Sequence, residues 1–206
     1  MPLKIDELNK LNPYDYMDEE LGKFRVLLVK RFRRIKFAKK GISKAVREVY
    51  EILWDRSYRM FYRLATHYYK IAGGKKKTDW VLDFLEEYDF ITGYQYEPEW
   101  ERKRARTYEM VMAAREENKV PDLKRPEVLL NQQVTQKSIE IVDEATIRAY
   151  KEQGVTKVKW KTMRDNKVCA ECEERDGKIF DINELPEKHY NCRCWLERYE
   201  DRRENA

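Results

Sequence analysis

All four cysteines of this 206-residue chain fall in one polar stretch, Trp160 to Cys194, as Cys169-x-x-Cys172 and Cys192-x-Cys194, with His189 just ahead of the second pair. No other feature restricts the fold as much. Two thiols separated by two residues can bend around one tetrahedral ion, and a second pair arriving from a distant turn closes the cage. The spacing predicts a structural Zn2+ site, with Cys169 and Cys172 as the firmer half and the rest drawn from His189, Cys192 and Cys194. If Cys192 to Cys194 is extended, both thiols share a face, because side chains two apart on a strand point the same way. Five donors compete for four places, and an all-cysteine site and one of three cysteines and a histidine both fit. Disulfides are the alternative, since four cysteines can pair in three ways. The start Met-Pro-Leu-Lys does not read as a secretory signal, which weighs against them and predicts a soluble protein made in the cytosol.

At this length the chain has room for one ordinary domain or for a helical part beside a small metal-stapled one. The pattern predicts the second: a mainly α protein with a small α+β C-terminal domain containing the zinc knuckle. Charged residues make up 39% of the chain and aromatics 13%, and the mean hydropathy is −0.90. No apolar run approaches the ~20 residues a membrane span needs. The net charge of +5 hides an asymmetry: residues 1–78 hold 20 basic against 9 acidic side chains, and the remainder is net acidic. Lys23 to Arg47 holds 11 basic residues and no acidic one. Such a field attracts polyanions, either double-stranded DNA or an acidic protein surface.

In chain order, residues 1–14 read as an N-terminal arm with an amphipathic patch of Leu3, Ile5, Leu8 and Leu11. Residues 15–125 read as a helical, basic and aromatic domain. Its first helix is capped by Asp15 or Asp18, buries Phe24, Leu27, Leu28, Phe32 and Ile35, and stops at Gly41. The polar side carries Arg25, Lys30, Arg33, Arg34, Lys36, Lys39 and Lys40, the candidate nucleic-acid contacts, although such a face is often merely solvated. A second helix from Ser43 to Ala72 buries Val46, Val49, Tyr50, Leu53, Phe61, Leu64, Ala65 and Tyr68, and His67 reads as a packing or polar-rim residue. Gly73-Gly74-Lys75-Lys76-Lys77 lacks the spacing of a phosphate loop and reads as a turn. Thr78 caps a short helix to about Phe90. A charged helix starts at Pro98, with Trp100, Ala105, Tyr108, Val111 and Met112 facing inward. Residues 126–206 then form the C-terminal domain: a long helix ended by Gly154, an alternating strand over 155–163, a hairpin turn at Asp176-Gly177, and return strands at 178–180 and 195–199. So little sheet is marginal without a staple.

Trp160, Thr162, Asp165, the Cys169-x-x-Cys172 pair, Asp176-Gly177-Lys178, Phe180, Pro186, His189 and Asn191-Cys192-Arg193-Cys194 together resemble the C-terminal domain of the phage minor head proteins, the family named after protein F of phage Mu. The helix ending Ala149-Tyr150-Lys151-Glu152-Gln153-Gly154 fits the same pattern. Where many members carry an Arg-Thr-Glu-like run, this chain has Val134-Thr135-Gln136. The resemblance implies a virion structural protein rather than an enzyme: a low-copy minor head component assembled in the host cytoplasm. It would be associated with the portal or major capsid protein, self-associating in a ring, and in contact with packaged DNA. The competing enzyme class is the HNH-type nuclease, to which Cys-x-x-Cys followed by His189 and Asn191 is similar. That chemistry needs a histidine base as well as a metal ligand, and the chain has only His67 and His189. A DNA-binding regulator is the third class, and it predicts tight, salt-sensitive binding by residues 1–78.

Overall fold

The computed structural model describes residues 13–86, 96–166 and 168–200. Helices α1 (Asp15–Lys36), α2 (Ile42–Ile71), α3 (Trp80–Glu86), α4 (Tyr96–Glu116) and α5 (Lys124–Glu152) precede strand β1 (Lys157–Lys161), the short helix α6 (Ala170–Arg175), and strands β2 (Ile179–Asp181) and β3 (Trp195–Arg198). Described residues of Met1–Phe61 and Tyr94–Thr135 form one compact unit, and those of Tyr62–Gly93 and Gln136–Ala206 the other. Among the described residues no helix is long and apolar enough to cross a membrane.

In the first unit α1 buries Phe24, Leu28, Phe32 and Ile35, while α2 buries Val46, Val49, Tyr50, Leu53 and Phe61. An aromatic cluster carries much of this core. The Tyr50 ring lies 5.9 Å from Phe32 and meets Trp100 edge-on at 5.8 Å, and Trp54 meets Trp100 at 5.2 Å. Such offset and edge contacts add to the burial of the rings themselves. The Tyr50 hydroxyl shares a 2.7 Å hydrogen bond with Thr107, and both residues are buried. Thr107 therefore faces the core of α4 beside Trp100 and Val111, whereas Ala105 and Tyr108, expected inside, are exposed. The hydroxyl of Thr107 can be buried because Tyr50 satisfies it.

Helix α1 ends earlier than Gly41. Arg115 of α4 donates to the backbone oxygen of Lys36, the last residue of α1, at 3.2 Å and to that of Ala38, just past the helix, at 2.8 Å. Gly41, at φ +63°, instead opens α2, and its carbonyl accepts from Ala45. Leu27, expected in the buried stripe, is only half-buried.

The second unit is built on the later turns of α5. Strand β1 lies between β2 and β3, antiparallel to both, with Val158 opposite Phe180 and Trp160 opposite Leu196. The expected alternation holds, since Val158 and Trp160 are buried and Lys157 is exposed. These residues pack with Val155, Ile182, Leu196 and three cysteines, against partly buried Ile147 and Tyr150 of α5. Asp176-Gly177 does not close a tight hairpin, because the chain leaves β1 through 162–176 and makes α6 before returning. Gly177, at φ +81°, follows α6, and its N–H reaches the carbonyl of Trp160 at 2.8 Å. That bond and the one from Trp160 N–H to the Lys178 carbonyl, 2.9 Å, close the excursion on the sheet.

Candidate metal centre

Helix α6 presents the first cysteine pair. Cys169 is its N-cap in extended conformation, and its sulfur accepts from the Cys172 N–H at 3.4 Å. Three residues further along a helix is nearly one turn, so Cys172 comes back on the same side, and it is buried. The second half of the site comes from the segment before β3. Asn191 takes the left-handed conformation, φ +60°, which a short polar side chain tolerates. The Cys192 N–H reaches the His189 carbonyl at 3.1 Å. This tight turn brings His189 and Cys192 to the same sulfur.

His189 Nε2 lies 3.3 Å from Cys169 Sγ and 3.1 Å from Cys172 Sγ, and Cys172 Sγ lies 3.6 Å from Cys192 Sγ. Two overlapping donor groups result, Cys169–Cys172–His189 and Cys172–Cys192–Cys194, each with all its ligand atoms within 4.8 Å of one another. Cys172 belongs to both. His189 Nδ1 sits 2.9 Å from the Tyr190 carbonyl. A proton there is held by that oxygen, which leaves the Nε2 lone pair facing the two thiols. All five candidate donors are thus brought together, and either group could hold a metal ion.

The electrostatics fit a cation. The Cys172 N–H holds the Cys169 thiol below its ordinary value, as expected at a helix N-terminus. A hydrogen bond from Cys194 draws Cys192 down to about 5. Burial pushes Cys172 up to about 12, and Cys194, which shares its proton with Cys192, is raised as well. Burial lowers His189, but the Tyr190 carbonyl and the nearby Cys192 and Cys169 outweigh it, and the net shift is upward. Buried thiols of this kind resist ionising together until a divalent ion compensates their charge.

Around the donors lies a buried polar frame that the sequence pattern did not single out. Lys188 donates to Asp143 Oδ2 of α5 at 2.7 Å and also to the Cys194 carbonyl, with its ammonium 5.6 Å from the Trp160 ring centre. Burial raises the Asp143 carboxyl to about 6 against the pull of Lys188. Gln136 accepts the Asn191 N–H at 2.7 Å and donates to Glu140 at 2.9 Å, and Glu140 takes a buried ion pair from Lys137 at 3.0 Å. The readable signal was polar side chains at 136, 140 and 143, helical spacing in register with Ile147, which packs against the sheet. Asp176 accepts from the Thr162 N–H and from two nitrogens of Arg164.

The basic residues differ in their surroundings. Lys30 and Arg33 are exposed on α1, Arg25 bonds Asn131 at 3.1 Å, and Arg34 lies 3.5 Å from Glu48. Lys36 is half-buried in the last turn, and Lys39 and Lys40 fall in the link to α2. His67 stacks edge-on against Tyr68 at 5.1 Å. It lies in the same unit as the cysteines, not a separate one, yet it joins neither donor group.

Residues 99–197 match the model of the family described as phage Mu protein F like protein. No curated protein and no solved structure matches the chain.

Proposed function

We infer, from a chain that carries a phage Mu protein F-like domain over residues 99–197, that it is a minor head protein of a phage particle. The family match is the observation that carries this reading, and the family is one of structural phage head proteins. Within it we assign the chain to the portal or capsid vertex of the virion head, in low copy, assembled in the host cytoplasm. The Cys/His cluster serves this role as a structural zinc site, not a catalytic one. Its donors are cysteine sulfurs and an imidazole nitrogen, the set zinc favours, and five candidates leave no evident open position for water. When bound, zinc would supply the charge that lets buried thiols ionise. The chain's own residues fix the turn and the imidazole tautomer, and they bury Cys172, Cys192 and Cys194 while His189 stays at the surface. The basic segment Lys23 to Arg47 suits a polyanion, packaged duplex DNA or an acidic protein surface.

Quantitative mass spectrometry of purified particles tests the assignment. A fixed ratio to the portal protein, near one copy per portal subunit or below, is expected. Absence from finished heads would remove the virion role. Metal analysis of the purified protein should find about one zinc per chain, and its absence from protein purified without chelator would retire the zinc.

A further inference from the structure

Helix α1 carries a second apolar row opposite the one it buries. Val26 is 72% exposed and Val29 52% exposed, and Phe37, 58% exposed, continues the row just past the last turn. Gly22 begins it, where an added Cβ would meet nothing within 4 Å. At i, i+4 and i+7 these positions share one side of the helix. Valine and glycine rank below alanine or lysine as helix formers. On a face left in water their presence is unexplained by the stability of α1 itself.

Cations frame the row. Lys30 and Arg33 are exposed beside the valines. At the far end Arg34, Phe37, Lys40, Lys44 and Ala45 line a shallow depression of about 560 Å³ together with Glu48, which lies 3.5 Å from Arg34 and 3.8 Å from Lys44 and leaves Lys40 as the cation there without that carboxylate. Between Lys23 and Arg47 there is no acidic residue.

We propose that this face of α1 docks an acidic amphipathic helix of another protein. The partner's apolar side chains lie along Gly22, Val26 and Val29 and reach the depression beside Phe37, while its carboxylates meet Lys30, Arg33 and Lys40. Duplex DNA would satisfy the cations but set a charged backbone against three apolar side chains. A second copy of the same face would bring like charges together. This choice narrows the polyanion reading above and does not depend on the virion assignment.

The test measures binding of the full chain to a labelled synthetic helix of about 20 residues with leucines at i, i+3, i+4 and i+7 and glutamates elsewhere. Its scrambled isomer, a duplex of about 20 base pairs and phosphatidylglycerol vesicles serve as competitors. The amphipathic helix is expected to bind at least about tenfold tighter than its isomer. Val26→Ser with Val29→Ser should weaken it about tenfold while leaving duplex affinity unchanged. Both valines are exposed, so the fold should survive, and circular dichroism checks that. Equal binding of the two peptides, or an unaffected valine variant, overturns the proposal. So does a duplex or vesicle that binds tighter than the helix, which would give the face to DNA or to a membrane. Failure of every polyanion to bind would remove the broader reading as well.

Discussion

His189 is suited to ligate a metal because its other nitrogen already has a partner: the Tyr190 carbonyl at Nδ1 leaves Nε2 turned toward Cys169 and Cys172. Cys172 is the common member of both donor groups, so its sulfur should matter more than any other. Cys172→Ser is expected to lose metal more completely than Cys194→Ser in competition with a chromophoric chelator. Equal losses would show that the groups do not share a ligand. Lys188 supports the same turn from behind. Lys188→Met strands the buried Asp143 carboxyl, which costs about 3–5 kcal/mol by analogy with other broken buried pairs. Adding Asp143→Leu should return most of that in urea unfolding, because an apolar pair needs no compensation. No recovery in the double variant would mean that Lys188 acts through the Cys194 carbonyl alone. That the five candidate donors come together was legible in the sequence, since metal chemistry restricts residue type and spacing. Lys188, Asp143 and Gln136 were not, because their role depends on which face of α5 meets the metal turn.

At the scale of elements, helices α1 and α2 were readable from apolar periodicity, as were the start of α1 at Asp15 and the bounds of α2 to within a residue, but the C-terminal end of α1 was not. The Lys36 and Ala38 carbonyls at that end are taken up by Arg115, a residue 79 positions beyond Lys36. Arg115→Ala should leave those carbonyls without their partner and cost roughly 1 kcal/mol, with faster amide exchange confined to the last turn of α1. The facing of α4 was legible at Trp100 and Val111 but not at Thr107, whose burial goes with a bond to Tyr50 that no periodicity announces. Burial lifts the Tyr50 phenol to about 12 from an ordinary 10. The folded state therefore favours the neutral phenol. The stability it contributes is complete below pH 10 and is lost as pH rises from about 10 to about 12. Tyr50→Phe should remove that part of the alkaline slope, while costing about 1–2 kcal/mol at neutral pH because Thr107 loses its partner. A slope identical in the variant would place the titration on other tyrosines.

For the whole molecule, the small sheet and its cysteines share one core. Cys172, Cys192 and Cys194 are buried beside Val158, Trp160 and Leu196. If zinc is bound there, its removal by a chelator should raise amide exchange across β1, α6 and β3. Exchange in α1 should stay as it was. Far-ultraviolet circular dichroism should change little, since most of the described backbone is helical and the described sheet has three short strands. A global loss of helix on chelation would show that the metal supports far more than the sheet.

The sequence alone determined the mainly helical class, the order of the long helices, the alternation of β1 and the five candidate metal donors. Each follows from local chemistry: helical or strand periodicity decides which side chains can share a face, and tetrahedral coordination limits ligand spacing. Only the tertiary structure decided that α6 interrupts the return from β1 to β2, and that Arg115 takes up the carbonyls at the end of α1. It alone placed Gln136, Glu140 and Asp143 in a buried frame behind the metal turn, and left Val26 and Val29 in water. These depend on contacts between residues far apart in the chain. Hydrogen-bond demand and exposed area become definite only once the backbone is closed on itself.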